Sequence, residues 1–373
     1  GIFRAKNPET KKGASKPGTA KPSAKSSASN RAKASAVAER IEDLLEKGNT
    51  ARDGRKFAEA EDAYKEVLKL RARDARAAYG LGNIYSDQQR WDDAEAAYRN
   101  SVAWAPTNAD AHVALSVVLV QPRTGGDNAK RFADAEMAAR RSVQLDPKNA
   151  VGWDRLGVAL QARGLANSET EHSYRRAIEL DPQFAVAYAH LARLLNRQNK
   201  GSEASTLYDK AIELAKDPAT LNLIADALQG EQLWEQSEPV LKKALELDAQ
   251  NPTSLLLMGR YFIVHRKFQE AEPYLKSATE VSSRAFQPFN LLGRAYLGMD
   301  RFSDAEATYE RASAFAGTGE KKQLAGVFGF EGVGDGYLKS NQKDKAVRAY
   351  QRALELDPGN NGAAQKLAKA RAN

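Results

Sequence analysis

The sequence predicts an all-α protein, a solenoid of repeated helical hairpins behind a disordered basic tail. Three observations predict it. Ala, Leu, Glu, Arg and Lys dominate long stretches, and strand-type runs rich in Val, Ile and Thr are almost absent; the former are strong helix formers. One frame of apolar and small residues recurs along the chain. The charge excess is confined to one end. Residues 1–40 carry ten Lys or Arg and two acids, 10 − 2 = +8, and the rest carries 56 − 10 = 46 basic and 48 − 2 = 46 acidic residues. The repeat region is therefore neutral, and the basic pI belongs to the tail.

Residues 1–34 are rich in Lys, Ala, Ser, Pro and Gly, with no apolar periodicity beyond Ile2 and Phe3. Such a segment cannot bury enough surface to offset its ordering entropy, so it is expected to be disordered. Helix-forming sequence begins near Ala36, with Ser35 as the expected N-cap. The repeats follow, over residues 35–361. Leu81, Gly82, Tyr85, Trp91, Ala94, Tyr98 and Pro106 set the frame. Leu292, Gly293, Tyr296, Phe302, Ala305 and Tyr309 repeat its spacing. Met258, Gly259, Phe262, Phe268, Ala271, Leu275 and Ala278 fit it, as do Val333, Gly334, Tyr337, Ala346, Tyr350, Ala353 and Pro358. Trp153, Leu156, Gly157 and Pro182 belong to another copy. Nine copies start near Ile41, Ala75, Ala109, Ala150, Ala185, Pro218, Pro252, Phe286 and Val327. The third has an insertion around Gln121 to Asn128, and the fourth has one extra residue and lacks the bulky residue before its second helix. A second insertion, Thr318 to Gly326, separates the last two copies. Residues 362–373 are expected to form a polar capping helix. The whole set implies about nineteen helices and no sheet.

Each position has a physical reason. Leu then Gly sets a large side chain beside a gap, so the two helices of a hairpin approach closely. Tyr or Phe three residues on is expected to fill the hairpin interior at helical spacing. Ala at position twenty gives the second helix its own close contact, and Pro near position thirty-two stops it. A lone hairpin leaves apolar surface exposed, which stacking covers. These residues resemble the tetratricopeptide repeat, with its ~34-residue period and W-x₂-L-G-x₂-Y…A-x₃-F…P pattern. The resemblance implies a right-handed α-α superhelix whose first helices line a concave groove.

Several chemistries lack their residues. The chain has no cysteine, which excludes disulfides, thiolate metal sites and cysteine catalysis. His112, His172, His190 and His265 include no pair at the i, i+4 spacing that binds zinc on one helix face. The run Gly329 to Gly336 is glycine-rich but has no preceding strand and no Lys-Ser/Thr, and Gly334 falls in the repeat's own glycine position, so a phosphate loop is not expected. The extra glycines are expected to loosen that helix. No catalytic residues, cofactor or metal are expected, and the chain is read as a non-enzyme. No run reaches the ~18 apolar residues of a membrane span, and Gly1 to Lys6 hold no signal-peptide apolar core. A soluble protein is expected, cytoplasmic in preference to periplasmic, and the Ala-rich style reads as bacterial.

The resemblance also implies which positions meet a partner. Position nine reads Asn49, Asn83, Val117, Val158, Arg193, Asp226, Arg260, Arg294 and Asp335, and position five adds Tyr79, Asp154, Asn222 and Asn290. Asn both donates to and accepts from a peptide backbone, and Arg clamps carboxylates bidentately. Asp226 interrupts the basic row and is expected to pair with a neighbouring Arg. Co-chaperones of this family hold a C-terminal carboxylate with Lys-Asn, Asn and Lys-Arg over three copies. Here Leu45 stands where the first Lys is needed, so that clamp is not expected. The leading expectation is a scaffold or adaptor binding an extended, acidic peptide or protein in the groove. The alternatives are a regulatory or targeting subunit of an enzyme complex, and association of the basic tail with nucleic acid or an anionic membrane. The tail has no interleaved aromatics for base stacking.

Overall fold

The computed structural model describes residues 24–121, 123 and 127–372. Every regular element among them is an α-helix. They form two compact units, divided between His190 and Leu191.

The first unit holds four hairpins: α1 (Ala24–Asp53) with α2 (Phe57–Leu70), α3 (Ala75–Asp87) with α4 (Trp91–Trp104), α5 (Ala109–Leu119) with α6 (Asn128–Leu145), and α7 (Ala150–Ala162) with α8 (Ser168–Leu180). Helix α9 (Ala185–Arg197) runs across the division. The second unit continues with α10 (Gly201–Leu214), α11 (Pro218–Gly230) and α12 (Trp234–Leu247), α13 (Pro252–Val264) and α14 (Phe268–Val281), and α15 (Phe286–Gly298) and α16 (Phe302–Ser313). It ends with α17 (Thr318–Ala325), α18 (Phe330–Lys339), α19 (Lys343–Leu356) and α20 (Asn361–Ala372). The described residues thus give twenty helices. The one beyond nine hairpins and a cap is α17, which forms inside the second insertion.

Two expectations need correction. Helix α1 begins at Ala24, so Ser35 lies inside it and caps nothing; its hydroxyl reaches Glu39 at 3.5 Å. The sequence from Ala24 on has no Pro and is rich in Ala, which favours helix even though residues 31–40 are all exposed. Helix α1 thus takes in residues 24–34 of the segment expected to be a tail, and residues 1–23 lie outside the described residues. The second correction concerns the aromatic three residues after the glycine. Tyr85 donates to Glu61 at 2.9 Å and Tyr337 to Glu306 at 2.7 Å, each on the second helix of the preceding hairpin. That tyrosine joins neighbouring hairpins. The hairpin interior is filled instead by the residue at position twenty-four.

The glycine explains why. A Cβ on Gly82 would lie 2.5 Å from the Tyr98 ring, on Gly157 2.4 Å from Tyr174, on Gly293 2.4 Å from Tyr309 and on Gly334 2.5 Å from Tyr350. The second helix therefore sets an aromatic ring where the first helix has no side chain. Interiors this dense leave no slack for an added methylene.

Turns and caps repeat with the same period. Asp74, Asn108, Asn149, Asp217 and Asn251 accept backbone N–H bonds at the starts of α3, α5, α7, α11 and α13, which satisfies otherwise orphaned donors. Within hairpins the chain turns through left-handed residues: Arg55, Gln89, Asn199, Gln232, Arg266, Asp300 and Asn341 have φ between 56° and 64°, and Gly164 has φ 79°. At the C-terminal end, α20 buries Ala363, Leu367 and Ala370 in the core of the second unit.

Candidate partner-binding groove

Val117 and Val158 aside, the eleven residues expected to line the groove fall into distinct settings. Tyr79, Asn83, Asp154, Asn222 and Asn290 are buried, which removes them from any exposed peptide-binding surface. Tyr79 packs against Tyr98 with ring centroids 5.7 Å apart. Asn222 bridges to the next hairpin, accepting from Ser254 Oγ at 2.8 Å and donating to Asn251 Oδ1 at 2.9 Å. Asn83, Asp154 and Asn222 thus use their polarity inside the stack, whereas the buried Tyr79 hydroxyl has no hydrogen-bond partner among the described residues.

Position nine follows one rule. The hairpin's own tyrosine hydroxyl donates to whatever acceptor stands there. Tyr64 donates to Asn49 at 2.8 Å, Tyr98 to Asn83 at 2.8 Å and Tyr350 to Asp335 at 2.7 Å. Where position nine is Val158, Tyr174 turns to Gln161 at 2.6 Å. Where it is Arg193, which has no acceptor, the buried Tyr208 hydroxyl has no hydrogen-bond partner among the described residues. Burial pushes the Tyr64 and Tyr98 phenols up to about 12.

Asp154 is wholly buried on α7. His190 Nδ1 lies 2.7 Å from its Oδ1, and Arg155 Nε lies 3.4 Å from its Oδ2. Burial opposes ionisation, but the charges of His190 and Arg155 and the His190 hydrogen bond outweigh it, and the carboxyl stays below its ordinary value. The other histidines serve packing: His112 Nε2 sits 3.0 Å from the Pro106 carbonyl, His172 meets Trp153 edge-on, and His265 Nε2 lies 2.9 Å from Glu235. No cluster able to hold a metal ion exists among the described residues.

The arginine row is only partly available. Arg193 Nε and Arg197 Nε converge on Glu231 Oε1 at 3.2 and 2.7 Å. Desolvation opposes ionisation of Glu231, but its bonds to Arg197 and Arg193 hold its carboxyl below the usual range. Arg260 pairs with Asp226 at 2.6 Å, as expected, and also donates to Gln229 at 2.6 Å. Arg294 has no acidic partner among the described residues; its guanidinium lies 5.1 Å from the centroid of the Phe328 ring.

Arg294 and Asp335 line an open cleft of about 720 Å³ in the second unit. Its apolar wall includes Ile263, Val264, Leu297, Val327 and Phe328, and its charged rim includes Arg266, Arg294, Asp300, Asp335 and Lys339. Phe328 is 63% exposed and Val327 55%, two adjacent apolar side chains on one wall of the cleft. These two residues, Arg266 and Lys339 were not among the sequence candidates. Their signal was present in part: Phe328 stands two residues after the insertion that breaks the period.

Glycine places them. The turn Gly326 to Gly329 replaces the first turn of the ninth repeat. A Cβ on Gly329 would meet the Leu324 carbonyl oxygen at 2.0 Å, and one on Gly332 the Val327 carbonyl oxygen at 2.1 Å. The glycine run is therefore a close crossing of backbones rather than a loosened helix. Gly336, in the same run, leaves room for Phe302, which its Cβ would meet at 2.2 Å.

Three segments, residues 45–110, 184–217 and 328–360, match models described as tetratricopeptide repeat. No curated protein matches the chain. Among solved structures, the crystal structure of MamA is 24% identical with a TM-score of 0.39, over 45% of this chain and 93% of that one. Pseudomonas aeruginosa PilF is 14% identical with a TM-score of 0.44, over 59% and 96%. The human IFIT1 dimer with m7Gppp-AAAA is 14% identical with a TM-score of 0.49, over 86% and 78%. No helix among the described residues is long and apolar enough to cross a membrane.

Proposed function

We propose that this chain, which belongs to the tetratricopeptide repeat family, is a non-catalytic scaffold that takes a segment of a protein partner along the first-helix face of its seventh to ninth repeats. The observation that carries this reading is the cleft of about 720 Å³, with Phe328 and Val327 exposed on its wall and Arg294 above them. Concave sites with an apolar lining and a few placed charges are where ligands bind. The test is affinity capture with the full chain and with Arg294→Gln/Phe328→Ala as paired baits. A partner retained by the first and lost from the second supports the reading, and equal recovery contradicts it.

The tail suggests a second contact. Its charge excess favours a salt-sensitive attraction to anionic surfaces, acting as a tether in addition to the groove. Deleting residues 1–34 is expected to leave melting unchanged and to remove sedimentation with phosphatidylserine vesicles at low salt. Undiminished sedimentation would assign any such attraction to the repeats.

A further inference from the structure

The turn that carries Phe328 is tied to the interior tyrosine of the eighth repeat. In three repeats the interior tyrosine hydroxyl is held by an Asn or Asp at position nine. In the eighth that position is Arg294, which cannot accept. Tyr309 donates instead to the Phe328 backbone carbonyl at 2.7 Å. Asn360 donates to the Ala325 carbonyl at 2.8 Å, holding the other side of the same turn. The turn is thus pinned from inside the core by its backbone, while its two apolar side chains project into the cleft. Arg294, freed from the tyrosine, lies over the Phe328 ring.

The charges say what such a surface suits. Three cations, Arg266, Arg294 and Lys339, face two acids, Asp300 and Asp335. Asp335 is already engaged by Lys366 at 2.7 Å and by Tyr350. An arriving carboxylate would meet cations without equal opposition, and an arriving cation would not. An apolar side chain would cover Phe328 and Val327. We infer that the cleft of repeats seven to nine recognises an extended acidic protein segment through one bulky aliphatic or aromatic side chain seated against Phe328, with a flanking carboxylate bound by Arg294. This rests on the scaffold reading and narrows it to one partner chemistry. Both elements are needed: the apolar contact supplies desolvation around the ion pair, and the ion pair orients the segment.

Three labelled synthetic peptides test it on the full chain by fluorescence anisotropy. One carries a single Leu among Glu residues, the second replaces Glu by Gln, and the third replaces Leu by Ala. The first is expected to bind about tenfold or more tighter than either control, a difference of about 1.4 kcal/mol. Phe328→Ala and Arg294→Gln are each expected to remove most of that advantage without changing the melting curve, because both side chains are at least partly exposed. Phe328→Leu should retain binding, and Arg73→Ala, on the exposed surface of the first unit, should match the wild type. Equal affinity for the Glu and Gln peptides, wild-type binding by Phe328→Ala, or no binding of any peptide would overturn the inference. The scaffold reading is scored separately, by capture of a partner on the paired baits.

Discussion

Gly82 and Asp154 test the residue scale. A Cβ at Gly82 would sit 2.5 Å from the Tyr98 ring, whose hydroxyl is tied to Asn83. The ring has nowhere to retreat. Gly82→Trp is expected to cost about 1–3 kcal/mol or more, the range for overpacking a dense core, whereas Gly201→Ala, with open space around it, should leave thermal melting unchanged or slightly raised. Equal melting of Gly82→Trp and wild type would contradict the close contact. Asp154 gives a pH signature. Its folded-state carboxyl is held below its ordinary value, so its stabilisation is present above the unfolded value of about 4 and is lost as pH falls through the lower folded value. Asp154→Asn is expected to lower stability at neutral pH by about 1.5–3 kcal/mol, the range for a charged hydrogen bond, and to flatten the decline below about pH 4. A denaturant titration across that range checks both. The glycine positions were readable because the repeat fixes what lies opposite them. The burial of Asp154 was not: position five looks polar, and it takes His190 from another repeat, with the neighbouring Arg155, to offset a carboxylate with no exposure.

Among the elements, the turns between the helices of seven hairpins store small strains. Gln89 and Gln232 hold φ of 58° and 64°, a region that costs an L-residue roughly 1–2 kcal/mol relative to glycine. The fourth repeat uses Gly164 at the equivalent point. Gln89→Gly and Gln232→Gly are expected to raise stability by a few tenths to about 1 kcal/mol, the relief of strain exceeding the extra unfolded-state entropy of glycine. Lower melting in both would show that the side chains contribute more than the backbone strain removes. Helix α17 illustrates what pattern reading misses at this scale. Thr318 to Gly326 broke the period and so read as an insertion, but its helix is capped by Glu320 back to the Gly317 amide at 2.8 Å and buries Leu324 and Ala325. The first insertion was equally opaque: Arg123 anchors it to the preceding hairpin through Asp92 at 2.9 Å and Glu95 at 2.6 Å, contacts that no local spacing announces.

For the molecule as a whole, the repeat frame carried the fold because each hairpin meets mainly its neighbours, so local spacing decides most contacts. The site was less legible for the same reason. A repeat frame assigns equal meaning to equivalent positions, yet Asn49, Asn83 and Asp335 accept from tyrosines while Arg294 does not. What differs between copies changes which acceptor the interior tyrosine finds: one in its own hairpin at Asn49, Asn83 and Asp335, and one in the following turn beside Arg294. The central claim is that a protein partner is held by the first helices of the last three hairpins. Hydrogen–deuterium exchange of the full chain, alone and with its captured partner, tests that most directly. New protection is expected in α13, α15, the Gly326 to Gly329 turn and α18. Protection confined to residues 1–34, or to the second helices α14, α16 and α19, would contradict it.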